Sequence, residues 1–172
     1  MRKVVIIIVC VLISINIKAQ ENFKWEKTDS IAKTKAQIYS DTKMYIANVW
    51  KSAQSVIQND DKEAGNIVVK GLFESKHFFS PDVVYFYGYT VTFKMKDNRY
   101  KINIDNVHCD SYRGQCTMCV KIEPFEGDNF PRIGCMVKKQ VKEIMNGLKA
   151  HLGNIINDYD KYIKSPSNIE NW

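Results

Sequence analysis

From Val83 onward the chain alternates. Val83, Tyr85, Tyr87, Tyr89, Val91, Phe93 and Met95 are apolar or aromatic, while Gly88, Thr90, Thr92, Lys94 and Lys96 between them are small or polar. A period of two over this length predicts a strand with one buried face. Asp97-Asn98 follows, a pair that tolerates positive φ and predicts a two-residue hairpin turn. Beyond it Tyr100, Ile102 and Ile104 alternate with Lys101, Asn103 and Asp105. Such a turn sets Met95 opposite Tyr100, Phe93 opposite Ile102 and Val91 opposite Ile104. The apolar faces of the two strands then coincide, so turn and strands support one another across a hairpin over residues 83–109.

The remaining pattern supplies partners for that face. Residues 23–27 alternate apolar and charged and predict a short first strand. Thr34 with Gln37 forms a capping-box pattern, in which each side chain meets the other's unpaired amide. Ile38, Tyr45, Ile46, Val49, Trp50, Ala53, Val56 and Ile57 then recur at helical spacing, predicting a helix over 35–58 that Asn59-Asp60-Asp61 ends. Residues 67–73 predict a strand whose Gly71 marks a bulge or a close backbone approach. Residues 111–114 predict a second turn leading into a strand over 117–123. A stripe from Met136 through Ile144, Leu148 and Leu152 to Tyr159 predicts a long last helix, with Gly147 and Gly153 marking a bend or a close helix–sheet contact. The order is β-α-β-β-β-β-α. One sheet face is apolar and two helices are available to cover it. The expected class is α+β: a two-layer sandwich, an antiparallel sheet of about five strands with two helices on one face.

Composition adds an expected compartment. Residues 1–19 combine a basic start (Arg2, Lys3), an apolar run over 4–15 and a small residue, Ala19, at the expected cut. These are the parts of a secretory signal peptide, and the run is shorter than the roughly 20 residues a membrane span needs. The chain is expected to be exported, periplasmic or secreted, with no membrane span after cleavage. Residues 20–164 form a single domain and 165–172 a frayed tail. The formal charge of the 172-residue chain is +6; Arg2, Lys3 and Lys18 leave with the signal, so +3 remains. Lys94, Lys96, Arg99 and Lys101 make a modest positive patch near the hairpin turn, diluted by Asp97 and Asp105. With export and so small a net charge, it reads as a solvated strand face and argues against a nucleic-acid partner.

The chain resembles the exported Bacteroidetes family known as domain of unknown function 4468, described as having a TATA-binding-protein-like fold. The resemblance is carried by residues 33–39 (Lys-Thr-Lys-Ala-Gln-Ile-Tyr), by Trp50-Lys51-Ser52-Ala53, by residues 56–61, by residues 65–71, and by the hairpin over 91–101 with its Arg99-Tyr100 pair. It implies the fold. It brings no activity and no catalytic residue.

Candidate chemistry centres on cysteine. Cys109, Cys116, Cys119 and Cys135 remain after processing, and an even count in an exported chain points to disulfides. Cys109 and Cys119 flank the predicted second turn. Cys116 with Cys135 would tie the 117–123 strand to the last helix. Four cysteines allow three connectivities. Two other states stand beside disulfides: a metal site built on Cys116-x-x-Cys119 with Cys109, Cys135 or His108, and buried thiols. A C-x-x-C redox pair belongs at a helix N-terminus, whereas this one begins a strand. The sequence holds no G-x-S-x-G, no H-E-x-x-H and no Gly-rich phosphate loop. His151 is expected at the surface, and His77 lies in an aromatic loop. His108 abuts Cys109, the spacing of a nucleophile pair. Tyr85, Tyr87 and Tyr89 are expected in the core with their hydroxyls at its rim. Phe78 and Phe79, outside any period, are the candidate partner contact. The expected function is that of a non-catalytic domain without cofactor. It would bind a protein, ligand or cell-envelope component through its sheet or loops. The contrasting reading is a small thiol- or metal-dependent enzyme built on His108, Cys109, Cys116 and Cys119.

Overall fold

The computed structural model describes residues 25–50, 52–76, 84–113 and 138–166. Their elements are β1 (Trp25–Ser30), α1 (Lys35–Val49), α2 (Ala53–Val56), β2 (Ile57–Asp61), β3 (Asn66–Lys76), β4 (Val84–Lys96), β5 (Arg99–Arg113) and α3 (Lys138–Lys164). The strands form one antiparallel sheet in the order β1-β5-β4-β3-β2. Both long helices lie on one face of it, where Ile38, Tyr45, Leu148, Leu152 and Tyr159 join the odd-numbered positions of β4 in a single buried cluster. The α+β two-layer class follows from this arrangement. The signal segment, His77, Phe78, Phe79, Cys116, Cys119, Cys135 and the 117–123 strand lie outside the described residues.

The central hairpin takes the expected register: Met95 faces Tyr100, Phe93 faces Ile102 and Val91 faces Ile104. Asn98 carries the turn at φ 59°, a left-handed conformation that asparagine accepts more readily than most residues. The Thr34 capping box forms with both of its hydrogen bonds. Gly71 answers to close approach rather than to a bulge. The register runs through it unbroken opposite Tyr89, and the Tyr89 ring occupies the place where a Cβ would stand.

Two boundaries differ from the sequence pattern. The helix predicted over 35–58 stops at Val49, where the Trp50 amide closes the last turn on the Ile46 carbonyl. One turn, α2, follows, and Ile57 then begins an edge strand opposite Val69. Ala53, Val56 and Ile57 do touch the core, which is why a helical stripe accounted for them, but they reach it from a single turn and a strand. Asn59-Asp60-Asp61 belongs to β2, an exposed acidic edge that discourages pairing with another chain. Gly65, at φ 66°, closes the β2–β3 connection. The second correction concerns residues 111–113, predicted as a turn, which continue β5 to a pairing of Arg113 with Val84. Two bulges make this extension possible. Asn106 (φ 51°) and Val107 together oppose Tyr89, and Asp110 is an extra residue between the pairs Tyr87–Cys109 and Phe86–Ser111.

Helix α3 crosses the sheet from β3 to β1. Near its middle Gly147 stands over Phe73, but an added Cβ would meet the ring at an ordinary 3.7 Å, and at Gly153 it would meet nothing within 4 Å, so the expected need of glycine for a close helix–sheet contact is not found at either. At its end Asp160 accepts from Lys27 (2.8 Å), Lys164 (2.8 Å) and the Tyr100 hydroxyl, while Lys164 also reaches Asp29 (2.6 Å). Burial raises the Asp160 pKa, but hydrogen bonds from Lys164, Lys27 and Tyr100 outweigh it and hold the carboxyl well below the usual carboxylate range. A depressed native pKa contributes stability above the unfolded value of about 3.9 and loses it as pH falls toward the native one. Asp160→Asn should therefore cost roughly 1–2 kcal/mol at neutral pH, and the gap to wild type should narrow below about pH 4. Urea unfolding across that range checks this, and a gap constant with pH would contradict it. Among the described residues no helix is long and apolar enough to cross a membrane.

Candidate binding face

Among the described residues the sheet has one closed and one open face. Side chains alternate along each strand, so the even positions of β4 lie opposite the helices. Neighbours across the ladders share that face. Glu26, Asn103, Thr92 and Val68 form one row across four strands. Asp105, Thr90 and Lys70 lie to one side of it, followed by His108, Gly88 and Leu72. On the other side, toward the hairpin turn, come Thr28, Lys101, Lys94 and Asn66, then Ser30, Arg99 and Lys96.

Each end of this face has its own chemistry. Leu72 is 54% exposed in the middle of β3, with half-buried Phe86 diagonal to it across the ladder. One exposed apolar side chain is ordinary on a protein surface, so Leu72 counts only as the apolar point of a face that is otherwise polar. Across from it Gly88 is bare, and the His108 imidazole fills the space, Nδ1 lying 2.8 Å from the Asn106 carbonyl. At the other end Lys94, Lys96 and Arg99 are exposed. Asp97, expected to dilute this charge, accepts the Lys35 backbone amide at its Oδ1 at 2.7 Å, beside the first turn of α1. Asp105 accepts from the Asn103 side chain at 2.6 Å, and Lys101 pairs with Glu26 at 3.0 Å. The side-chain oxygens of Asn66 and Asn103, both on this face, are covered and meet no donor among the described residues.

The cysteine–histidine pair is not assembled. His108 sits opposite Gly88 on the open face and Cys109 opposite Tyr87 on the helix face, so the sheet itself separates the two. Burial pushes the Cys109 thiol pKa up, and the Asp110 charge adds to this, both disfavouring thiolate. Residues 111–113, expected in a turn after Cys109, continue β5, and Cys119, the expected partner of Cys109, lies outside the described residues. Among the described residues no three His, Cys, Asp or Glu side chains converge as a metal site would need. His151, expected at the surface, is half-buried instead. Its Nε2 lies 3.0 Å from the Tyr89 hydroxyl and its ring packs on Phe73 with centroids 5.0 Å apart. Burial holds its pKa below the ordinary histidine value and raises that of Tyr89 to about 12. Tyr85, Tyr87 and Tyr89 are core residues, as their period indicates.

The model of a family described as a domain of unknown function (DUF4468) with TBP-like fold matches residues 13–110. A TBP-like protein from Parabacteroides distasonis is similar in structure, with a TM-score of 0.60 and 15% identity over 85% of this chain and 95% of that one. A DUF4468 family protein from Bacteroides ovatus gives 0.58 and 15% identity over 88% and 94%. No curated protein matches the sequence. At such identities the likeness concerns the fold.

Proposed function

The chain belongs to the DUF4468 family with a TBP-like fold, and from that premise we propose that it is an exported, non-catalytic domain that recognises a partner through the open face of its sheet. The observation that carries this reading is the face itself: a five-stranded sheet covered by two helices on one side and, among the described residues, presenting exposed Leu72, Lys94, Lys96 and Arg99 on the other. A sheet needs only one buried face to fold, so the other is available for binding. Leu72, with half-buried Phe86 diagonal to it across the ladder, and the exposed cations Lys94, Lys96 and Arg99 give that face groups for a partner to engage. The separation of His108 from Cys109 supports binding over thiol chemistry.

The test is a photocrosslinking side chain placed at Leu72 and, separately, at Asn157 on the exposed side of α3, in cells that export the full chain. The expected result is a discrete adduct from position 72 and none from 157. An adduct from 157 alone, or from neither position, would overturn the reading.

A further inference from the structure

Resting on the reading of the open face as the recognition surface, we infer that its partner is an extended acidic polypeptide segment whose carboxylates meet Lys94, Lys96 and Arg99. The first ground is charge left uncompensated by the fold. Asp97 is engaged by the α1 amide and Glu26 by Lys101. Among the described residues no carboxylate pairs with Lys94, Lys96 or Arg99, although all three share one corner of the face.

The second ground is spacing. Lys94 and Lys96 are alternate residues of a regular strand, about 6.6 Å apart at the usual rise, and Arg99 lies directly across the ladder from Lys96. A polypeptide lying extended over β4 presents its own alternate side chains at that same interval, so successive acidic residues reach successive cations. Leu72 and Phe86, farther along the same face, suit an apolar residue of the same segment.

The experiment is a nuclear magnetic resonance titration of the isotope-labelled full chain with an alternating glutamate–threonine dodecapeptide, taken to millimolar concentration. An alternating lysine–threonine peptide and a single-stranded oligothymidylate are the comparison probes. The acidic peptide is expected to shift amides of β4 and β5 on both sides of the hairpin turn while leaving the exposed side of α3 unmoved. Charge reversal by Lys94→Glu, Lys96→Glu and Arg99→Glu should weaken binding by about tenfold or more. Because these side chains are exposed and pair with no carboxylate, the reversed protein should keep the wild-type spectrum elsewhere. No shift with the acidic peptide, equal binding of the lysine peptide, undiminished binding by the reversed protein, or tighter binding of oligothymidylate would each overturn the inference. The crosslink from position 72 separates this failure from that of the parent reading. If the adduct persists while the acidic peptide fails, the face binds a partner of other chemistry. If the adduct is absent, the face itself is misassigned.

Discussion

Tyr159→Ala is expected to destabilise the domain by about 4 kcal/mol, against about 1 kcal/mol for Tyr159→Phe. Tyr159 is fully buried on α3 and its ring meets three others: Phe93 at 4.8 Å, Tyr45 at 5.1 Å and Tyr100 at 5.4 Å between centroids. Truncation to alanine removes the ring that joins α1, α3 and the two central strands, and a cavity of that size cannot close without moving a helix. The phenylalanine variant keeps the ring and loses one hydrogen bond. Its direction follows from proton counting. Thr42 Oγ1 donates its only hydrogen to the Ile38 carbonyl at 2.7 Å, so the Tyr159 hydroxyl, 2.8 Å away, must donate to Thr42. Thr42→Val should accordingly cost less in the Tyr159→Phe background than in wild type, since the hydroxyl that would lose its acceptor is already gone. Urea denaturation of the four proteins checks both expectations. Equal losses for Tyr159→Phe and Tyr159→Ala would mean that the hydroxyl, and not the ring, holds the layers together.

The parts of the fold that were legible in the sequence are those where one period governs a long segment. The β4–β5 hairpin declares itself because seven alternating apolar positions and a turn pair agree, and a one-residue slip would turn every one of them to water. The α3 stripe declares itself for the same reason at the helical period. Misreading came where two elements share one apolar run. Ala53, Val56 and Ile57 fit a helical stripe, yet the short β2 edge is stabilised by the Ile57–Val69 and Asp60–Ile67 pairings with β3, which local pattern cannot show. The Tyr39 hydroxyl and Lys43 both reach Asp60 from α1, a tertiary tie that makes a strand of what reads as a helix stop. A signal was present: an Asn-Asp-Asp run four residues before Gly65 and the next apolar strand is also the pattern of a β-hairpin connection.

The binding face was half legible for a related reason. Alternation identified Lys94, Lys96, Arg99 and Lys101 as solvent-facing, and the structure keeps them so. What alternation could not reveal is where Asp97 spends its charge, because its partner, the Lys35 amide, is distant in sequence. Nor could it foresee the Asn106 bulge. A bulge changes which side of the strand every later residue takes relative to simple alternation: Ile104 and Val107 both face the helices, whereas strict alternation would have put Val107 outside. Leu72 was visible as an out-of-phase apolar residue in the strand over 67–73, beside the Phe73 that does face the core. The neighbourhood that gives it meaning is assembled only when β3, β4 and β5 pair.

Lys33→Met should cost about 3 kcal/mol, and the double replacement Lys33→Met with Asp41→Leu should recover most of that loss. Lys33 sits in the connection between β1 and α1, held to the hairpin turn by backbone bonds: the Asn98 amide donates to the Lys33 carbonyl at 2.9 Å, and the Ile31 amide to the Asn98 carbonyl at 3.0 Å. Its ammonium is largely buried, 2.8 Å from Asp41 Oδ2, and also donates to the carbonyls of Ile163 (2.8 Å) and Ser165 (2.9 Å) at the end of α3. One cation therefore caps the last turn of α3 and neutralises a carboxylate on α1, in the dipole-favoured position for positive charge. Removing it alone leaves the Asp41 charge in a site only 6% exposed without its ammonium, which is the costly way to break a buried pair. Removing both charges spares that desolvation and leaves chiefly the loss of the α3 cap. Thermal or urea unfolding of the two single variants and the double variant gives the coupling directly. A Lys33→Met protein as stable as wild type would show that the helices are held by apolar packing alone, with the ion pair contributing only to the choice of geometry.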